Sequence, residues 1–205
     1  MSTRTLAVVS AGLSNPSSTR LLADRLAAAT VTALRARGDD TTVEVVELRE
    51  HARDLADHLT GGFANAELQA TIDTVVGADA VIAVTPVFSA SYSGLFKTFV
   101  DVLDKDALIG TPVLLGATAG TARHSLAIEF AVRPLFAYLR AVPVPTGVFA
   151  ASEDWAGGGD GTLAGRIDRA AGELADLVTG RPAAARPVDP FADPETSFEE
   201  LLKGN

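Results

Sequence analysis

Three hydroxyl-bearing residues in a row, Ser17-Ser18-Thr19, end a loop and open an apolar helical pattern. The first turn of a helix has unpaired backbone N–H groups and a partial positive charge, so it can hold a phosphate without a cationic side chain. The three hydroxyls add hydrogen-bond donors. The loop begins at Ser10, which we include in this candidate phosphate site. Helix capping without any ligand remains the alternative, because capping uses the same residue types.

The same loop argues against two common nucleotide-binding motifs. Gly12 is its only glycine, so the GxGxxG pattern is absent, as is the Gly-Lys-Ser/Thr ending of an ATP-binding loop. The chain has no cysteine, which excludes thiolate nucleophiles and Cys-based zinc sites. Its three histidines are widely separated, which argues against a His-based metal site. We therefore expect no metal, and no side chain is assigned as catalytic.

Two further loops have the character of a binding site for a flat heterocycle. Pro86-Val87-Phe88-Ser89 combines a proline-restricted backbone with an aromatic wall. Thr118-Ala119-Gly120 is made of small residues, which let a planar ring approach the backbone closely. Both loops directly follow short apolar runs.

The elements that must position these loops alternate along the chain. Strand-like runs are predicted at Thr5–Ser10, Thr42–Leu48, Ala80–Thr85, Pro112–Gly116 and Val142–Phe149. Helical spacing is predicted at Thr19–Arg37, Asn65–Val76, Ser93–Leu103, Arg123–Arg140 and Thr162–Val178. This alternation predicts an α/β fold with a doubly wound, five-stranded parallel sheet and helices on both faces. Ligands bind such sheets at the carboxyl ends of the strands, where all three loops lie.

Length and charge narrow the function classes. The 205 residues predict one domain over 1–180, followed by a Pro- and Ala-rich tail over 181–205 with a short docking helix at Ser197–Leu202. The net charge of −9, with only 17 Lys and Arg, argues against nucleic-acid partners. Neither a signal peptide nor a membrane-spanning apolar stretch is recognised, so we expect a cytoplasmic protein.

The loop Thr85-Pro86-Val87-Phe88, with the Tyr92-Ser93-Gly94 and Lys97 that follow, resembles the NAD(P)H-dependent FMN reductase family. Phe88 stands where many members have tyrosine. The resemblance covers about residues 5 to 150, and the branch acting with sulfonate monooxygenases is similar through His124 and on to Arg133-Pro134. The first loop matches most loosely, because Leu13 and Ser14 replace a common pair ending in arginine.

The resemblance implies a flavodoxin-like fold and a set of cofactor roles. FMN would place its phosphate at Ser17, Ser18 and Thr19. Its ring would lie between the second and third loops. NADPH or NADH would supply hydride to the flavin, and reduced FMN would pass to a partner monooxygenase. An NAD(P)H quinone or azo-dye reductase with retained FMN, or a non-enzymatic flavodoxin-like electron carrier, remain alternatives.

Six further residues are interpreted one by one. His124 could contact the nicotinamide or the flavin, although a hydrogen bond at a helix start is favoured. Trp155 could cover a bound flavin, although anchoring a loop is the more common role. Arg20 and Arg123 are candidates for the phosphates of the nicotinamide nucleotide. Lys97 and Asp101 are interpreted as a surface pair.

A homo-oligomer, dimer or tetramer, is also predicted, because members of the family generally pair through helices near the flavin loops. The pattern ending at Arg140 is apolar around most of its circumference, more than one sheet face can bury. Its apolar residues are Ile128, Phe130, Val132, Leu135, Phe136, Tyr138 and Leu139. The tail adds Phe191, Phe198, Leu201 and Leu202, which would be a liability if left exposed.

Overall fold

A seven-stranded sheet forms the centre of the computed structural model, which describes residues 3–155 and 163–180. Its strands are β1 (Thr3–Ser10), β2 (Asp40–Glu47), β3 (Ala80–Phe88), β4 (Ser91–Tyr92), β5 (Pro112–Ala119), β6 (Val142–Pro143) and β7 (Val148–Ala151). The strand order is β2-β1-β3-β5-β6, with β7 also beside β5, and all of these pairings are parallel. Only β4, which pairs with β3, is antiparallel.

Helices cover both faces of the sheet. They are α1 (Ser18–Ala36), α2 (Ala52–Gly61), α3 (Ala66–Val76), α4 (Gly94–Asp101), α5 (Arg133–Tyr138) and α6 (Leu163–Thr179). α1 and α6 pack on one face and the other four on the opposite face. Alternate residues of β1 follow this division, with Leu6 and Val8 toward α1 and Ala7 and Val9 toward the other core. The predicted doubly wound α/β fold is therefore confirmed.

The predicted count of five strands was wrong in detail. The expected strand Val142–Phe149 is divided into β6 and β7, although both occupy the same edge beside β5. Val142 and Val144 donate their N–H groups to Thr111 O and Val113 O, but the N–H of Thr146 donates to Glu173 Oε2 instead. The ladder is therefore interrupted after Val144 and resumes at Val148. The other addition, β4, is two residues long and arises from the tight turn at Ser89 and Ala90.

The predicted helix Arg123–Arg140 was also wrong as one continuous element. The structure has a 3₁₀ turn at Ala122–His124, a π-helical turn at Ile128–Val132 and then α5. Arg133 N–H donates to Ile128 O, five residues back. Pro134 cannot donate the next helical hydrogen bond, so the wider turn is accommodated just before it.

The other four predicted helices, α1, α3, α4 and α6, begin and end close to their predicted limits. Ser17 and Asn65 cap α1 and α3 with their side chains, and α2 ends at Gly62, whose φ of 82° is left-handed. Within the described residues, none of the helices has the length and hydropathy needed to span a membrane. The predicted tail over 181–205, with its docking helix, lies outside the described residues.

Candidate functional site

A cleft of about 390 Å³ lies at the carboxyl ends of the strands. Its lining consists of Leu13, Ser14, Ser17, Ser18, Thr19, Pro86, Val87, Phe88, Thr118, Ala119, Gly120 and Ser152. The three loops selected from the sequence therefore meet at one place. Of the residues proposed for cofactor binding, only Ser10 and Ser89 are absent from this lining.

The start of α1 forms one end of the cleft. Ser17 is the N-cap residue, and its Oγ accepts a hydrogen bond from Arg20 N–H at 3.2 Å. Leu21 N–H donates to Ser17 O at 3.0 Å. The N–H groups of Ser18 and Thr19 precede these positions and have no carbonyl partner within the helix. Side-chain capping thus coexists here with two backbone N–H groups that have no partner within the helix.

Gly12 is required by the tight packing of the first loop. A Cβ atom added at Gly12 would lie 2.1 Å from Ser17 Oγ, 3.1 Å from Ser17 Cβ and 3.2 Å from Thr19 Cβ. The loop therefore folds back onto the helix start so closely that only glycine fits without a displacement. The loop also contains a cis peptide between Asn15 and Pro16.

A buried hydrogen bond joins the first loop to the third. Thr19 Oγ1 and Thr118 Oγ1 are 2.8 Å apart, and both residues are at least nine-tenths buried. This bond links the start of α1 to the end of β5 beneath the cleft. The two loops are therefore held in a fixed relation at its floor.

The second loop is organised by Thr85 and Ser93. Thr85 Oγ1 accepts from Ser93 N–H at 3.0 Å and donates to Pro86 O at 3.0 Å. Ser93 in turn caps α4 by accepting from Phe96 N–H. Phe88 stands at the end of β3 and is 47% exposed, so its ring is available beside the cleft.

The two predicted residues outside the lining lie on either side of it. Ser10 is buried at the end of β1, and its Oγ has no hydrogen-bond partner among the described residues. Ser89 is exposed in the turn after β3, with φ of 49°. The structure thus leaves Ser10 as an unpaired hydroxyl under the first loop and places Ser89 at the rim.

Charged groups surround the first loop, but over residues 3–155 and 163–180 the lining contains only apolar, glycine and hydroxyl-bearing residues. Arg20 pairs with Asp24 and Glu47, and the hydrogen bond that it donates to Asp24 is the largest cause that raises the pKa of Arg20. Arg49 pairs with Glu47 and donates to Ser14 O at 3.4 Å. Arg20, a candidate for a nicotinamide phosphate, is therefore already held between two carboxylates.

The other weakly supported residues lie away from the cleft. Arg123 and His124 are exposed in the 3₁₀ turn after the third loop and do not line the cleft. Trp155 packs against the core on the α1 side, so it anchors a segment and does not line the cleft. Lys97 and Asp101 form an exposed ion pair, with Nζ 2.5 Å from Oδ1.

Three lining residues were not predicted to bind the cofactor: Leu13 and Ser14, which belong to the first loop, and Ser152, which lies outside all three loops. Ser152 follows β7, whose last residue is Ala151. The sequence pattern predicts a strand that ends at Phe149, and after it only Trp155 was a candidate flavin contact. The one available signal was position, since the carboxyl end of each parallel strand opens on the same edge of the sheet.

The parallel order of the strands, the helices on both faces and the cleft at the strand ends define a flavodoxin-like α/β protein. The family model described as NADPH-dependent FMN reductase matches residues 4–156. The chain therefore belongs to the NADPH-dependent FMN reductase family, as the sequence resemblance predicted.

Individual relatives agree with this assignment. The chain is 44% identical to an FMN reductase (NADPH) of Pseudomonas aeruginosa over 111 residues. The matched region covers 54% of this chain and 60% of that protein. The chain is 39% identical to the NADH-dependent FMN reductase SfnF of Pseudomonas putida, over 71% of this chain and 76% of the relative. A solved oxidoreductase from Corynebacterium diphtheriae shares 49% identity with a TM-score of 0.86, covering 89% of this chain and all of that one.

Proposed function

We propose that this protein is an NAD(P)H-dependent FMN reductase that binds FMN in the described cleft. The observation that carries the proposal is the meeting of a helix start with available N–H groups and two loops with small and apolar residues. Family membership supports the reaction, and the geometry supports the site. The phosphate would lie at the polar helix start, and the flavin ring would lie between the two loops of small and apolar residues.

The residues present fit FMN. The cleft volume of about 390 Å³ lies within the range of roughly 300–1,000 Å³ that is typical of small-molecule sites. The N–H groups of Ser18 and Thr19 and the hydroxyl of Ser18 can hold a phosphate at the helix start. The unpaired hydroxyl of Ser10 beneath the loop is a further donor for which the described residues provide no partner. Because the cleft ends at this phosphate position, we propose FMN in preference to FAD.

The chain's own residues act by positioning. When bound, FMN supplies the ring that accepts hydride from the reduced nicotinamide. Pro86, Val87 and Phe88 would border the ring on one side, while Ala119 and Gly120 allow it to approach the backbone on the other. Backbone N–H groups of these loops would stabilise negative charge that develops on the ring. No side-chain acid or base is assigned, because the described residues that line the cleft are apolar, glycine or hydroxyl-bearing.

The source of hydride is proposed as NADPH or NADH. The names of the two Pseudomonas relatives include one of each. We also propose that reduced FMN passes to a partner flavin-dependent monooxygenase. That step is supported by the resemblance of the chain to the sulfonate-monooxygenase branch through His124 and Arg133-Pro134. The predicted cytoplasmic location belongs to the same proposal.

The purified protein is expected to reduce FMN with NADPH or NADH in the presence of a chelator. Nicotinamide oxidation is followed at 340 nm with free FMN as acceptor, after an absorption spectrum has established flavin binding. A quinone and an azo dye serve as comparison acceptors. Turnover of these with negligible turnover of free FMN would favour the retained-flavin reductase, and loss of activity that zinc or iron restores would contradict the proposal.

We further propose a homo-oligomer, dimer or tetramer. The helical segment from 126 to 138 turns Ile128, Val132 and Phe136 into the core, yet it leaves large apolar side chains in solvent. These are Leu126 at 63%, Phe130 at 79% and Tyr138 at 74% exposure. Large apolar and aromatic side chains that are exposed close together are typical of surfaces that a partner covers.

Light scattering at low micromolar concentration is expected to give a multiple of the 21.2 kDa chain mass. Phe130→Ser should lower that mass, because it removes the most exposed aromatic ring of the segment from 126 to 138. In the monomer the new serine would lie in solvent, so the fold should not be affected. Phe63→Ser, which changes a ring that is 75% exposed after α2, serves as the matched control. A monomeric mass with FMN tightly bound would contradict the proposal.

A further inference from the structure

The segment Ser152–Trp155 forms a fourth wall of the cleft through its first residue. Ser152 lines the cleft, whereas Trp155, three residues later, packs against the core beneath α1. The guanidinium carbon of Arg25 lies 5.0 Å from the centre of the Trp155 ring. This distance is within the range in which a cation is attracted to an aromatic face.

The middle of the segment is fixed from the other side. Asp154 accepts a hydrogen bond from Ala151 N–H at 2.8 Å, which closes the turn after β7. The other oxygen of Asp154 pairs with Arg166 on α6. The segment is therefore tied to α6 through Asp154 and to α1 through Trp155, and Ser152 lies between the end of β7 and these two attachments.

The helix α1 connects two walls of the cleft. Its first turn contains Ser18 and Thr19, and Arg25 lies two turns further along, roughly 10 Å from Ser18 at 1.5 Å per residue. Residues seven apart lie on the same side of a helix, so Ser18 and Arg25 share one face. An attachment at Arg25 therefore sets the position of Ser152 relative to the helix start.

We propose that Arg25 is a positioning residue for the ligand cleft, acting through Trp155 to hold the Ser152 hydroxyl where it contacts the polar tail of the bound flavin. This inference rests on the proposed function, since the ligand is FMN. Arg25 itself does not line the cleft. The polar tail is the part contacted, because the segment is fixed against the helix whose first turn forms the phosphate end.

The test measures FMN affinity by titration for the full chain and for its variants. Arg25→Ala is expected to weaken FMN binding by about threefold to tenfold, the scale of a cation–aromatic contact together with the ordering it provides. Arg25→Lys, which retains a cation over the ring, should stay within about twofold of the unaltered protein. Arg37→Ala is the control, because this exposed residue caps the far end of α1 and pairs with Asp176 on α6.

Two readouts separate positioning from a general loss of structure. Trp155 is the only tryptophan in the chain, so intrinsic fluorescence reports this contact directly. Arg25→Ala should shift the emission, and Arg37→Ala should not. Ser152→Ala is expected to weaken binding by a similar factor, and Arg25→Ala should then cost little more in the Ser152→Ala background, because both changes remove the same contact.

Three results would overturn the inference. Additive losses in the double variant, FMN affinity unchanged by Arg25→Ala, or no rescue by lysine would each show that Arg25 does not position Ser152. If the unaltered protein fails to bind FMN, the proposed function fails, and this inference fails with it. If the unaltered protein binds FMN but one of the three results above is obtained, only this inference fails.

Discussion

Gly12→Ala is expected to weaken FMN binding by on the order of 10-fold to 100-fold, which corresponds to about 1.4–2.8 kcal/mol. The added Cβ would lie 2.1 Å from Ser17 Oγ, so the Ser17 side chain must leave the position in which it caps α1. Losing such a cap costs about 1 kcal/mol. The contact of 3.1 Å with Ser17 Cβ would remain, so the loop backbone must also move away from the helix start.

The measurement is an FMN titration accompanied by thermal unfolding. Gly94→Ala is the matched control, since a Cβ at Gly94 meets nothing within 4 Å, and both properties should stay unchanged there. Adding Ser17→Gly to Gly12→Ala removes the atoms that clash and should recover part of the affinity. Full affinity in Gly12→Ala alone would show that the phosphate is not held by this loop.

The double substitution Ser17→Ala and Thr19→Ala is expected to weaken FMN binding by about 1–3 kcal/mol, roughly 5-fold to 150-fold. Two hydroxyls at the proposed phosphate position are removed, and the N-cap of α1 is lost. The change at Thr19 also leaves Thr118 Oγ1 without its partner at the floor of the cleft. Unchanged FMN affinity in titration would contradict the assignment of this loop.

Riboflavin provides the control for this second prediction, because it has the same ring without a phosphate. Its affinity should fall much less than that of FMN in the double variant. An equal loss for both ligands would mean that the substitutions disturb the ring position through Thr118 and not the phosphate site. Urea unfolding of the same variant reports the contribution of the cap separately.

The sheet and the three loops were predictable because they depend on local patterns. Apolar runs such as Ala80–Thr85 are buried on both faces, so they have few alternatives to a central parallel strand. Parallel strands bring their carboxyl ends to one edge, and this places Ser17, Phe88 and Thr118 in one cleft although they are far apart in sequence.

The features that escaped prediction depend on contacts between distant elements. The π-helical turn before Pro134 preserves helical spacing of apolar residues, so the periodicity alone could not distinguish it from a continuous helix. The contact between Trp155 and Arg25 joins residues that are far apart in sequence. Likewise, the hydrogen bond between Thr19 and Thr118 requires knowledge of how α1 lies over β5.

Among the described residues, those that line the cleft include no acid, base or imidazole. A group that titrates within a site couples ligand affinity to the proton concentration, and no lining residue provides such a coupling. If FMN binds in this cleft as proposed, the second ionisation of its phosphate, near pH 6, would be the main proton equilibrium in binding. Above that range, we expect FMN affinity to be nearly insensitive to changes in acidity around neutrality.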